Sequence, residues 1–365
     1  MNQMALRTAR YAALIPFVCA ATLATAVTHA WAAPTATVVA TGLDAPKQAV
    51  VGPDGWVYVA LSGHAAPTDP LLDGAPFNKS GGVVKVSPDG TVSPVATGLL
   101  SRFDEGASVG PSGLAFWHGS LYIAQAIYDP LNGVAGDLIS SPILKVVGSR
   151  TRTFTSLLAE SNDLSVGSAP DTNPFAMTVG ADGQLYVADG GANGVWRVAP
   201  NGDASLFVQF PGDPTVTGIA VRRSPRDEGR YQRGRSFGGL VVCLFGNGRS
   251  GFANGRVEMV DGEGHHTLVP TGTITMPISP AYSPSGQLYI LQFATPNPNP
   301  GPPFVPGSGA IWSIAKNGAA TKVLDGLNFP TGLCFAPDGT AYVTNNGILP
   351  GAGTVSGELL KVVGL

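Results

Sequence analysis

Few side chains in this 365-residue sequence are of types that do chemistry, and those few stand at recurring places. Asp189, Asn193, Asn247, Asn345 and Asn346 follow short apolar runs such as "LYVA" and "LVVCLF", and Gln125 and Gln292 close runs of the same kind. Carboxylate and amide oxygens are the ligands a hard cation takes, so several of these oxygens brought together would suit Ca²⁺. Only Asp189 among them carries a charge, and Asp or Asn beside Gly at a strand end also makes an Asx turn. Both readings stand at this stage, with Asp189 as the metal ligand if there is one.

A second group is "SRFDEGASVGPSG", where Arg102, Asp104 and Glu105 crowd around Phe103. Read functionally, it is a polar rim around a ligand or an acid–base pair. Read structurally, it is a joint carrying surface charges, whose pairing contributes little. His265-His266 looks like a metal-ligand pair, but adjacent strand residues point to opposite sides and no cysteine or further histidine is near. His64 and His118 are isolated in sequence. "RRSPRDEGRYQRGR" from position 222 either meets an anionic surface or keeps a long excursion soluble, and it lacks the interleaved aromatics of single-strand nucleic-acid binders. "GGANG" has neither phosphate-loop spacing nor a following helix, and Ser112 in "GPSG" lacks the strand–turn–helix setting of a nucleophile elbow. A net charge of −3 with 12% charged residues provides no global attraction for nucleic acid or anionic membrane.

The elements that must position these residues follow from a repeat. With 49 Gly and 31 Pro the chain favours short strands and tight turns over long helices. "VGPDGWVYVALSG", "FWHGSLYIAQ", "VGADGQLYVADGG", "YSPSGQLYILQF" and "FAPDGTAYVTNNG" are copies of one unit, with "GGLVVCLFGNG" a divergent sixth; Tyr58, Tyr122, Tyr186, Tyr289 and Tyr342 mark equivalent places. Each unit has a second strand–turn–strand half, as in "NGVWRVAPNGDASLFVQF", and Asp-Gly or Asn-Gly marks the hairpins. Four antiparallel strands repeated six times predict an all-β chain folded as a six-bladed β-propeller. The last unit stops after its third strand, "GELLKVVGL", while "TATVVATGL" at Thr35 is an orphan fourth strand. The N-terminal strand is therefore expected to close the last blade and cover its edge. Hairpins between strands one and two and between three and four then share one end of the ring. The other end receives the long segments His64–Ser80, Ser101–Gly110, Ile127–Pro142, Glu160–Pro174, Thr295–Ser308 and Gly347–Ser356, and irregular loops on a rigid scaffold are where binding concentrates. Cys243 and Cys334 fall two blades apart and are expected as separate buried thiols.

Arg7 and Arg10, the apolar run Tyr11–Val27 and the small-x-small triplet Ala30-Trp31-Ala32 read as an export signal. Residues 1–32 are assigned to a signal peptide and 33–365 to a single propeller domain. The expected location is secreted or periplasmic, with no transmembrane span once the signal is cleaved.

The joints "TGLDAPKQAVVGPDGWVYVA" at 41 and "DGLNFPTGLCFAPDGTAYVT" at 325 resemble those of the ScyD/ScyE propellers, and more distantly those of NHL-type and gluconolactonase-like propellers. The ScyD/ScyE resemblance implies a six-bladed fold and an association with extracytoplasmic pigment pathways. The gluconolactonase-like resemblance implies a Ca²⁺-dependent hydrolase or lactonase with an acidic residue near an inner strand and Asn and Asp around the axis. The inner-strand openings here, "PKQAV", "GPSGL", "NPFAM", "VTGIA", "PISPA" and "PTGLC", contain no carboxylate, leaving Asp189 and Glu105 as the substitutes. The expectation is thus a non-enzymatic binding module that needs no cofactor. It would hold a small molecule, glycan or protein on its loop-rich face, through Arg102, Asp104, Glu105, Asp189, Asn193, Asn247 and Asn345. The Ca²⁺-dependent hydrolase is the alternative.

Overall fold

The computed structural model describes residues 33–72, 75–104, 106–126, 140–158, 172–222, 239–246, 252–300, 302–347 and 357–365. The expected signal peptide, Glu105, Asn247 and nearly all of the arginine-rich stretch lie outside the described residues. Residues from Ala33 to Leu365 form one compact unit.

Alternating apolar residues and β-branched content form strands, and Asp-Gly or its equivalents turn them, in six sheets. The first holds β2 (Pro46–Val51), β3 (Val57–Leu61), β5 (Ala75–Val86) and β6 (Val92–Asp104), with the short β4 (Leu71–Leu72) and β7 (Ala107–Val109) added at its loop end. Blade two is β8 (Pro111–Trp117), β9 (Ser120–Gln125), β10 (Ser140–Val147) and β11 (Arg150–Leu158). Blade three is β12 (Pro174–Val179), β13 (Leu185–Asp189), β14 (Gly194–Val198) and β15 (Ala204–Gln209). Blade four is β16 (Val216–Val221), β17 (Leu240–Leu244), β18 (Arg256–Val260) and β19 (His266–Val269). Blade five is β20 (Pro277–Tyr282), β21 (Leu288–Gln292), β22 (Gly309–Ile314) and β23 (Ala320–Leu327). Blade six is β24 (Gly332–Phe335), β25 (Ala341–Asn345) and β26 (Gly357–Val363), completed by β1 (Thr35–Leu43), which pairs antiparallel with β26 from Thr35↔Val363 to Leu43↔Gly357. The six-bladed propeller and its closure by the N-terminal strand are as expected.

The repeated tyrosine has a physical reason in blades one and three. Tyr58 donates to Asp54 Oδ2 (2.9 Å) and Tyr186 to Asp182 Oδ2 (2.8 Å), so the Asp of the hairpin anchors the ring across the turn it opens. Cys243 and Cys334 are free thiols in different blades, and burial pushes the Cys334 thiol up to about 12.

One expected loop is ordered as sheet. Positions 102–104 and 107–109 pair as a hairpin in which Arg102 faces Val109 and Asp104 faces Ala107, with Gly106 at φ 85°. The N-terminal half of β5 likewise extends into the expected loop after His64, pairing Phe77 with Arg102 and Asn78 with Ser101.

The inner strands obey an alternation that is visible in sequence. Blades two, four and six open with "SGL", "TGI" and "TGL". The hydroxyls of Ser112, Thr217 and Thr331 donate to the carbonyls of Pro174, Pro277 and Pro46, the first inner-strand residues of the following blades. Gly113, Gly218 and Gly332 then let the neighbouring inner strand approach: a Cβ on Gly332 would lie 2.7 Å from the Lys47 carbonyl, and one on Gly113 3.1 Å from Ala176 Cα. Blades one and five bridge onward with side chains. Gln48 Oε1 accepts from the amides of Leu114 (2.8 Å) and Met177 (2.9 Å), its Nε2 donates to the Met177 carbonyl, and Ser279 Oγ accepts from the Leu333 amide.

Gly218→Ala puts a methyl into the Ile278 carbonyl and within 2.5 Å of Pro280 Cδ. Such overpacking against backbone is expected to cost about 1–3 kcal/mol, read as a lowered denaturant midpoint. An unchanged midpoint would show that the inner strands are not held at this spacing.

Candidate functional site

The polar residues that end second strands are spent on fastening their own blade's strand ends and the blade joints. Asp189 has no exposed surface. Its Oδ1 accepts from the amides of Asn173 (2.7 Å), Gly191 and Ala192 (both 3.0 Å), and its Oδ2 accepts from the Trp196 indole N–H at 2.9 Å. Asn345 repeats the scheme, with Oδ1 taking the Asn328 amide and Nδ2 donating to Glu358. Gln292 does so in blade five, receiving the Trp312 indole N–H and donating to the Ser308 carbonyl. Asn193, at φ 49°, accepts from the Thr215 amide and donates to Asp213. The structure thus gives Asp189, Asn193 and Asn345 one kind of task, the first two in the same β13–β14 turn of blade three and Asn345 at the end of β25 in blade six. These residues do not fit a hard cation, since the Asp189 carboxylate already receives four N–H donors in a site closed to solvent.

Three further groups stand out: two at the loop-rich end that the sequence reading passed over, and a set of carboxylate–histidine pairs found at both ends. The first is Lys47, second residue of the inner strand of blade one. It is 5% exposed, and its ammonium donates to the Gly347 carbonyl in blade six at 2.9 Å. Burial without a facing carboxylate lowers its pKa to about 8. The signal was its place: a lysine where the other inner strands carry Ser, Phe, Thr, Ile and Thr.

The second is an aromatic layer over blades four to six. Phe293 is fully buried, with Phe329 stacked on it at 5.3 Å and 28°, while Phe245 and Phe304 approach it edge-on at 5.4 and 5.3 Å. Phe252 closes the group on Phe304 at 4.9 Å, and Phe175 of blade three packs against the same core. All but Phe293 are partly exposed. Phe329 sits at φ 47°, the left-handed region that a bulky residue avoids. Ala45, Thr215 and Met276 adopt the same conformation just before their inner strands, so the backbone form belongs to the blade joint and only the ring is particular to blade six.

The third group is a set of carboxylate–histidine pairs. Asp44 Oδ2 meets His64 Nδ1 at 2.6 Å on the loop-rich end of blade one. His265 pairs with Asp261 in an exposed hairpin, and His266 pairs with Glu258, which also receives Arg256 Nε at 2.5 Å. The two adjacent histidines thus turn to different carboxylates, as alternation along a strand requires. At the hairpin end, a cleft of about 390 Å³ on blade three is lined by Asp182, Gln184, Arg197 and Asp203.

No family model matches the sequence, and no curated protein does. Among solved structures, the chain is similar to a Thermus thermophilus protein described as an oxidoreductase of the glucose dehydrogenase type, with 16% identity, 90% of this chain and 100% of that one covered and a TM-score of 0.59. It is also similar to a protein assigned as a gluconolactonase, at 13% identity, 91% and 92% coverage and a TM-score of 0.53. A streptogramin B lyase aligns at 13% identity over 92% and 99% of the two chains, with a TM-score of 0.50. The likeness is one of fold. No helix among the described residues is long and apolar enough to cross a membrane.

Asp189→Ala strands the Trp196 indole and three amides in a buried site and is expected to cost at least about 3 kcal/mol, seen as a lost or strongly lowered melting transition. Lys47 gives a signed pH effect. Its folded pKa, about 8, lies below the unfolded value of 10.5, so the unfolded state holds the extra proton between them and stability rises with pH through that window. Relative to Lys47→Met, the wild-type chain is expected to gain about 3 kcal/mol from pH 8 to 10.5; parallel pH profiles would refute this.

Proposed function

We propose that this chain is an exported binding propeller that takes a flat, apolar small molecule at its loop-rich end, over blades four to six. The observation that carries the reading is the phenylalanine layer: four partly exposed rings around a buried fifth, set on strand ends and a blade joint. Aromatic faces and edges in this arrangement favour another ring by about 0.5–1.5 kcal/mol beyond the area buried. The segment bearing Phe304 is proline-rich and pinned by a bridge from Pro296 to Phe304, so little ordering remains for a ligand to impose.

The N-terminal export pattern and the resemblance to ScyD/ScyE propellers, with their association with extracytoplasmic pigment pathways, agree with this reading. Arg102 and Asp104, both carried by the blade-one hairpin, are assigned to a polar rim of the same end. A Ca²⁺-dependent hydrolase is disfavoured by the saturated carboxylate of Asp189 and by inner-strand openings without an acid.

The test is titration with anilinonaphthalene sulfonate followed by fluorescence. The mature protein is expected to bind it saturably, and Phe304→Ser is expected to weaken binding about tenfold with an unchanged melting temperature. Equal binding by the variant, or no saturable binding by the wild type, would end the proposal.

A further inference from the structure

Of the three carboxylate–histidine pairs among the described residues, two divide their carboxylate among several donors. Asp261 Oδ1 accepts from the amides of Glu263 and His265, and Glu258 is shared by the Arg256 guanidinium and His266. Asp44 differs from both. Its Oδ2 meets His64 Nδ1, while its Oδ1 is buried with no hydrogen-bond partner among the described residues. Among the described residues the imidazole is therefore the one group facing this carboxylate through a hydrogen bond.

The surrounding chain fixes both members. Asp44 is followed by Ala45 at φ 49°, and the Asp44 and Ala45 carbonyls accept from the amides of Gly63 and Ser62. Ser80 Oγ accepts from the His64 amide, and the His64 carbonyl accepts from Asn78 Nδ2 and Ser80 Oγ. With the backbone held on both sides, Nδ1 is directed at the carboxylate and Nε2 is the far nitrogen of the ring. The His64 side chain is 43% exposed, whereas Asp44 is 16% exposed. A histidine oriented by a carboxylate, with its far nitrogen open, is the arrangement that general-base catalysis uses.

We propose that Asp44 and His64 form a general-base site on the loop-rich end of blade one, with His64 the catalytic residue, Asp44 its positioning residue and an activated carboxylic ester the substrate class. His64 Nε2 takes a proton from water as the water oxygen bonds to the ester carbonyl carbon. The bond from that carbon to the alkoxy oxygen then breaks, and the departing oxygen recovers the proton from Nε2. Water and ester become acid and alcohol, and no metal or redox partner takes part. The site is separate from the phenylalanine layer.

p-Nitrophenyl acetate tests it on the mature protein. His64→Ala is expected to lower turnover by about a hundredfold or more, the usual range for a lost general base, and Asp44→Asn by at least about tenfold. His265→Ala, which removes the exposed pair, is expected to change nothing, and the wild-type reaction should show a normal solvent deuterium isotope effect. Carbethoxylation of the wild type with diethyl pyrocarbonate, mapped by mass spectrometry, needs no variant to fold. His64 is expected to react before His265 although His265 is the more exposed at 79%, and turnover should fall as His64 is modified. Equal turnover in wild type and His64→Ala, an equal loss in His265→Ala, an absent isotope effect, or modification in the order of exposure would each overturn the proposal.

Discussion

Six inner strands surround one axis, and each turns toward it a backbone edge that no strand of its own sheet can pair. Unpaired amides and carbonyls in such a place cost about 1–3 kcal/mol each, so the ring depends on how those edges are met. Two devices meet them in turn. In blades two, four and six a hydroxyl reaches the next blade's first carbonyl, and a glycine removes the Cβ that would hold the strands apart. In blade one, Gln48 spans to two further blades and satisfies two amides and one carbonyl with one side chain.

That constraint explains why the two ends of the ring differ chemically. At the hairpin end, Asp-Gly turns close each pair of strands at short range, and Asp54 and Asp182 are occupied by the tyrosines of the next strand. At the loop-rich end the chain must pass from one blade to the next, and the strand-end polar groups are consumed in fastening those passages: Asp189 to Asn173, Asn345 to Asn328, Asn193 to Thr215. What remains for a ligand is whatever the fastening does not use. Blades four to six leave phenylalanine rings, and blade one leaves an imidazole on a carboxylate with no second hydrogen-bond partner among the described residues.

The candidate site was only partly legible in sequence because its members are far apart along the chain. Asp189 and the asparagines attract notice by residue type, yet local backbone amides claim them, as the Asx-turn reading anticipates. His64 looks solitary because Asp44 precedes it by a whole hairpin; the register Pro46↔Leu61 brings the two flanks to the same end. The five phenylalanines lie on a strand end, a short turn, a proline-rich segment and a blade joint. No periodicity links them, and only the closing of blades four to six makes them neighbours. The segment around Arg102 reads as a loop because charged residues and Gly interrupt it, whereas pairing with Phe77 and Val109 orders it as a hairpin.

Sequence alone determined the repeat, the four strands per blade, the closure by Thr35–Leu43 and the division into a hairpin end and a loop end. These follow from local turn chemistry and from short-period alternation, which act within a few residues. Tertiary structure decided which polar groups are spent and which are left. It seated Lys47 against Gly347, saturated Asp189 and set His64 on Asp44, because burial and hydrogen-bond partners at these positions come from segments that meet only when the ring closes.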